Sequence, residues 1–361
     1  MTMVDFIPIE SKAPPVRTAT PFWRLLFGDV LATCLTLLVL AAIIAMLPAL
    51  NWATFGAVWH ADSADACREG GACWAYIQDK ARLILFGIYP PEQHWRPILV
   101  MAMVVTMVLL SLFPRLWGGR LILIWGAALI AMIALMQGGF LGLEYVPTSK
   151  WGGLPVTLLL AVVSLGLGFP FAVLLALGRR ANLPIPRLVS VGLIELVRGL
   201  PLVGVLFVAS ILLPLLLPQG WTIDKLGRTL AALTLFAAVY LAEVIRGGLQ
   251  GVDKGQSEAA QALGISYWRT VWHIILPQAI QKVIPPLTNT AIIMVKNTSL
   301  VMIVGVFDML GAGRAAATDP AWPGPYTETY LFVAAIYFAI CFSISIYSRW
   351  LEETVKNRSH S

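Results

Sequence analysis

Eight stretches of this chain are long, apolar and nearly free of charge, and that pattern excludes an ordinary soluble domain. They cover residues 30–47, 97–113, 121–136, 154–177, 188–217, 226–245, 284–310 and 330–348. About 20 apolar residues cross a bilayer as a helix that satisfies its own main-chain hydrogen bonds. The expected fold class is therefore all-α and polytopic, with about eight transmembrane helices. Composition agrees: 58% of residues are hydrophobic and only 12% charged, whereas a soluble domain carries roughly 25% charged residues. The first run lacks a small-residue cleavage site and reads as a span, not as a removed signal.

The net charge of +6 belongs to this topology. Lys and Arg collect in cytoplasmic loops, so no nucleic-acid partner is expected and the bilayer is the first partner. With the N-terminus inside, the cytoplasmic segments hold Lys12, Arg17, Arg24, Arg115, Arg120, Arg179, Arg180, Arg187, Arg246, Lys254, Arg269, Lys282, Arg349, Lys356 and Arg358. The outer segments hold Arg68, Lys80, Arg82, Arg96, Lys150, Lys225, Arg228 and Arg314. The balance, 15 against 8, places both termini in the cytoplasm.

Two segments outside the spans admit alternatives. The loop at about 49–96 contains Cys67 and Cys73. An oxidising compartment permits a disulfide between them; two unpaired thiols are the other reading. Residues 21–27 mix Arg24 with Phe22, Trp23, Leu25, Leu26 and Phe27. They suit either an interfacial helix or an extension of the first span.

The segment 255–281 is too polar to span and falls on the cytoplasmic side. Residues 257–263 are good helix formers, and Gly264 is placed to end that helix. A second short helix is expected over 267–275, with Tyr267, Trp268, Val271, Trp272 and Ile275 at helical spacing and Pro277 ending it. Two short helices joined by a glycine make a compact knob whose apolar stripe suits a groove on another protein.

Within it, Glu258, Ala259, Ala260, Gly264, Ile274, Leu276 and Pro277 resemble the EAA motif of ABC-type importer permeases. That motif is the family's coupling helix, seated in a cleft of the ATP-binding subunit. Residues 195–202 (ELVRGLPL), 240–248 (YLAEVIRGG) and 296–300 (KNTSL) resemble stretches of polar amino-acid permeases. The resemblance covers the last five spans, a domain at 151–356. The additional three helices at 28–150 follow a cytoplasmic segment at 1–27. Together with residues 86–90 (FGIYP) and 95–97 (WRP), they look like the M-type permeases of general L-amino acid importers.

The resemblance implies an inner-membrane permease subunit that moves L-amino acids from periplasm to cytoplasm by alternating access. It implies a heterodimer with a second permease, an ABC ATPase dimer carrying ATP and magnesium, and a periplasmic binding protein. The chain itself is expected to hold no catalytic site, cofactor or metal. It has no G-x-x-x-x-G-K-[ST] phosphate loop, no nucleophile elbow and no H-E-x-x-H, and its four histidines lie outside the spans. The alternative is an ion-coupled secondary amino-acid transporter. That class is built on inverted repeats, and no convincing repeat is present.

Polar groups at membrane depth are functional candidates by default. Lys296, about twelve residues into the seventh run, shares a helical face with Asn289, Ile293 and Leu300. It offers an ammonium either to a substrate carboxylate or to a neighbouring helix. Asn297, Thr298 and Ser299, with Thr157 and Ser164 on the fourth run, are further pathway candidates. Glu195 with Arg198, and Glu243 with Arg246, have i,i+3 spacing and are expected to pair locally as structural or gate ion pairs.

Overall fold

The structure, a computed structural model, describes residues 22–61, 64–68, 70–116, 118–218, 220–322 and 324–359. The predicted segment 1–27 therefore lies mostly outside the described residues, Lys12 and Arg17 included. Its end forms α1 (Phe22–Phe27). Gly28 and Asp29 break the helix, and the Asp29 carboxylate accepts the Ala32 N–H at 2.6 Å to start α2 (Val30–Ala53). Thr36 donates to the Leu26 carbonyl at 2.8 Å, so α1 is a separate helix bent back against α2 and not a straight extension.

Alpha-helices make up most of the remaining described residues. They are α3 (Trp74–Phe86), α4 (Trp95–Ser111), α5 (Gly119–Gln137), α6 (Gly153–Arg179), α7 (Pro184–Gly199), α8 (Leu202–Phe207), α9 (Leu213–Leu216) and α10 (Lys225–Gln250). After them come α11 (Lys254–Ala262), α12 (Tyr267–Thr270), α13 (Leu276–Lys282), α14 (Ile284–Asn297), α15 (Met309–Ala317) and α16 (Tyr326–Ser359).

Among the described residues seven helical stretches are long and apolar enough to cross a membrane, and the bent pair 184–199 and 202–216, taken as one span, makes an eighth. The bent pair must cross. Arg179, before it, pairs with Glu195 and Glu243 at one end of the bundle. Thr222 and Asp224, after it, line a cavity with Tyr145, Thr148 and Trp151 at the other end.

The fifth apolar run is thus not one straight helix. The chain turns by 107° between α7 and the following stretch. Pro201 cannot continue a helix, and it forces the residue before it to be extended; Leu200 has φ −103° and ψ 139°. Helix α7 is amphipathic and lies across the end of the bundle. The seventh run is also divided. Alpha-helix gives way to 3-10 geometry over Thr298–Val304, Gly305 takes φ +77°, and α15 begins at Met309.

At the centre α6 packs against α10. A Cβ at Gly168 would stand 3.1 Å from the Ala237 Cβ, so small residues let the two helices approach closely. Leu160, Leu233, Ala237 and Ile245 are fully buried between the spans. By contrast, α2 has no buried residue, as befits a helix apolar on every side and solvated by lipid.

The loop 49–96 holds an element missing from the sequence reading. Helix α3 docks on α15 and on the start of α16. Cys67 and Cys73 are joined by a disulfide, with Cα atoms 5.5 Å apart, and the Cys73 N–H donates to Glu328 at 2.9 Å. Tyr76 is fully buried, its hydroxyl 3.1 Å from that of Thr329. Trp322 donates to Asp79 at 2.8 Å, and Lys80 bridges Asp79 and Asp319 at 3.1 and 2.7 Å.

Residues 86–97 complete this brace. Gly87 has φ +61°, and a Cβ there would lie 2.7 Å from the Gly152 Cα, so the α3 exit rests on the main chain that begins α6. Tyr89 donates to the Met136 carbonyl at 2.8 Å, and the buried Arg96 to the Glu144 carbonyl at 2.8 Å.

Candidate functional site

Residues 251–283 form a knob at the α7 end of the bundle, fastened on one side and bare on the other. The fastening starts on α10. A Cβ at Gly248 would stand 2.5 Å from the Ala279 carbonyl oxygen, so only glycine lets α13 lie this close. Lys282 reaches the Gly251 carbonyl, and Gln278 bonds Gln256 at 3.1 Å. Ala260, Thr270, Val271, Ile275, Leu276 and Ala279 are buried in the chain's own interior.

The Asp253 carboxylate caps α11, accepting the Gly255 N–H at 2.7 Å. At the far end the Gly264 N–H donates to the Gln261 carbonyl and the Ile265 N–H to Ala260, both at 3.0 Å. That pair of bonds is a Schellman closure, which requires the left-handed residue Gly264 supplies with φ +69°. Nothing within the chain lies within 4 Å of a Cβ built there. The glycine answers a conformational need, and the space above it is open.

The predicted stripe is divided between two jobs. Val271 and Ile275 are buried, whereas Tyr267, Trp268 and Trp272 are 64%, 62% and 47% exposed and Leu263 is 78% exposed. Glu258 and Ala259 face outward with them. Pro277 does not end the helix, contrary to expectation. A π-turn over Val271–Ile275 absorbs the missing proline N–H, and α13 continues through it. The same device recurs at Val208–Leu212, ahead of Pro214 in α9.

Behind the knob lies an ion cluster. Glu243 of α10 accepts from Arg246 at 3.0 Å through both oxygens, and forms ion pairs with Arg179 of α6 at 3.1 Å and Arg198 of α7 at 3.2 Å. Arg179 also holds Glu195 at 2.9 Å. The expected local pair of Glu243 and Arg246 is present. The expected pair of Glu195 and Arg198 is not: each reaches a different helix, because turning α7 across the bundle points them at α6 and α10. Arg179, which the sequence marked only as a topological charge, joins all three helices.

The pathway candidates separate by burial. Thr157, Ser164 and Thr298 are fully buried. Thr157 accepts from the Met309 N–H at 3.1 Å, Ser164 donates to Ala161 at 3.1 Å and Thr298 donates to Val295 at 2.7 Å. They serve the packing of this conformation. Thr298 also lies 3.3 Å from the Tyr337 hydroxyl, which donates to the buried Asp308 at 3.4 Å, a junction of α14, α15 and α16 that the sequence reading missed. Asn289 and Lys296 are exposed on α14, with Asn297 and Ser299 half-buried beside them. The ion pairs of the described residues do not include Lys296.

Comparison with known proteins agrees with this architecture. A family described as "Binding-protein-dependent transport system inner membrane component" matches residues 168–357. YhdY of Escherichia coli, an inner membrane amino-acid ABC transporter permease protein, is 46% identical over 85% of this chain and 84% of its own length. BztC of Rhodobacter capsulatus, a glutamate/glutamine/aspartate/asparagine transport system permease protein, is 36% identical over 93% of each chain. Among solved structures, an amino acid ABC transporter crystallised with histidines shares 31% identity and a TM-score of 0.50, covering 56% of this chain and 92% of that one.

Proposed function

The chain belongs to the binding-protein-dependent transport system inner membrane components, and on that premise we propose that it carries L-amino acids as one permease of an ABC importer in the bacterial inner membrane. Both of its long relatives bear amino-acid permease names. Its partners in this reading are a second, non-identical permease, a pair of ATPase subunits that hold ATP and magnesium, and a periplasmic binding protein. Both termini and the knob are cytoplasmic, and α3 with its disulfide is periplasmic. ATP hydrolysis takes place on the partner.

The observation that carries the reading is the two-sided knob. Its inner face is locked to α10 and its chain continues into α14, so a push on it moves spans; its outer face presents Leu263, Tyr267 and Trp268, apolar surface that a cleft would bury. An ion-coupled carrier has no use for such a surface outside the bilayer.

The test is Gly264→Asp in the assembled complex. The substitution strains a left-handed position and puts a carboxylate where the partner approaches, while meeting nothing in its own chain. Assembly of the permease pair is expected to persist, and ATP hydrolysis stimulated by the loaded binding protein to disappear. Stimulation at the wild-type level in Gly264→Asp refutes the docking role.

A further inference from the structure

At the end of the bundle opposite the knob, α5, α6 and α10 enclose a cavity of about 460 Å³, and its lining changes character with depth. The mouth carries Tyr145, Thr148 and Asp224; the walls below are Ile133, Leu159 and Val163. Val163 is ten residues into α6, about 15 Å at 1.5 Å per residue. The apolar part therefore reaches into a hydrocarbon layer about 30 Å thick. One wall, Ile133, comes from the three additional helices and the others from the common core.

Asp224 is the charged group at the mouth, and it is exposed there. It stands at the N-cap position of α10, yet its side chain caps nothing. It takes part in none of the ion pairs of the described residues. Its carboxylate instead lies over the next turn, where a Cβ on Gly227 would stand 2.7 Å from Oδ1, and both residues border the cavity. A carboxylate beside phenol and hydroxyl oxygens selects a cation that donates hydrogen bonds. Below the mouth are apolar side chains that suit an acyl chain.

We propose that this cavity is a binding site for an amine-bearing phospholipid, its headgroup ammonium held by Asp224 at the mouth and an acyl chain laid along Ile133, Leu159 and Val163. A free amino acid fits poorly, because its small body leaves the apolar walls bare. A headgroup of net negative charge is repelled by Asp224, and a choline headgroup offers no N–H. The lipid spans the seam between the additional helices and the core, and so ties them together.

The experiment is native mass spectrometry of the purified complex, titrated with ethanolamine, glycerol and choline phospholipids of identical acyl chains. One ethanolamine lipid is expected to bind about tenfold more tightly than either alternative, the size of a charge-assisted hydrogen bond. Asp224→Asn removes that preference, and Ile133→Trp, which fills the cavity from the half-exposed face of α5, removes the tight site for all three lipids. Equal binding of the three lipids to wild type, a preference retained in Asp224→Asn, or displacement of the lipid by free amino acid overturns the proposal. The wild-type titration decides it alone if the variants do not assemble.

Discussion

Glu243 collects three guanidinium groups from three helices, which makes it the least replaceable charge at its end of the bundle. Its side chain is 16% exposed, against 57% for Glu195. Glu243→Gln leaves Arg179, Arg198 and Arg246 without their shared acceptor and is expected to cost about 1–3 kcal/mol, below the range for breaking a fully buried pair because the cluster is partly solvated. Glu195→Gln is expected to cost less than about 1 kcal/mol. Thermal unfolding of the two purified variants checks the order; equal losses would show that Glu243 is no hub. The acidic and basic partners were readable in the sequence, but their pairing was not. Helical spacing gives neighbours within one helix only, and the 107° turn before α8 determines which groups meet across helices.

Lys296 belongs to the same scale. It is exposed on α14, free of any ion pair among the described residues, and so available to what lies beyond this chain. If it receives the α-carboxylate common to all amino-acid substrates, Lys296→Met lowers affinity for three unlike amino acids by a similar factor, about ten- to a hundredfold. Uptake measured against concentration, normalised to assembled complex, reads this directly. Unchanged affinity for all three removes Lys296 from the path.

At the scale of elements, the additional helices are tied to the core by α3 and not by lipid contact alone. The Lys80 link to Asp319 is held by charge on both sides. The hydrogen bond from Lys80 holds the Asp319 carboxyl below the usual range, and the bond to Asp319 raises Lys80. Because the Asp319 value is lowered on folding, its contribution is present above the unfolded carboxyl range and lost only as pH falls through the lowered value. Because the Lys80 value is raised, its contribution is lost only as strong alkali is approached. The brace is therefore constant across neutral pH.

Topology is checked by single cysteines at Glu144 and Gln261, with Cys34 and Cys341 replaced and the Cys67–Cys73 disulfide retained. An impermeant thiol reagent on intact cells is expected to label the first alone; labelling of both contradicts the eight-span arrangement. The spans were legible because lipid demands uninterrupted apolar length. Helix α3 was not, because it is short, carries Asp79, Lys80 and Arg82, and is stabilised by distant residues of α15 and α16. Its buried positions Tyr76, Ile77 and Ile84 do follow helical spacing, a signal present within the loop. Pro277 misled for a physical reason: a π-turn lets a helix pass a proline that an α-helix cannot.

On the scale of the whole molecule, one end carries the knob and the other is braced. The knob grips α10 through Gly248, Ala279 and Lys282 and continues into α14, and the ion cluster joins α10 to α6 and α7. Opposite, α15 is held by α3 and by Asp308, whose carboxylate accepts the N–H groups of Leu310 and Gly311 at 3.2 and 2.9 Å. The central claim, that ATP hydrolysis on a partner drives transport through this chain, is tested most directly in proteoliposomes holding the complete complex. Labelled amino acid uptake is expected to require ATP on the knob side and loaded binding protein on the other, and to be indifferent to imposed proton or sodium gradients. Uptake driven by an ion gradient without ATP would contradict it.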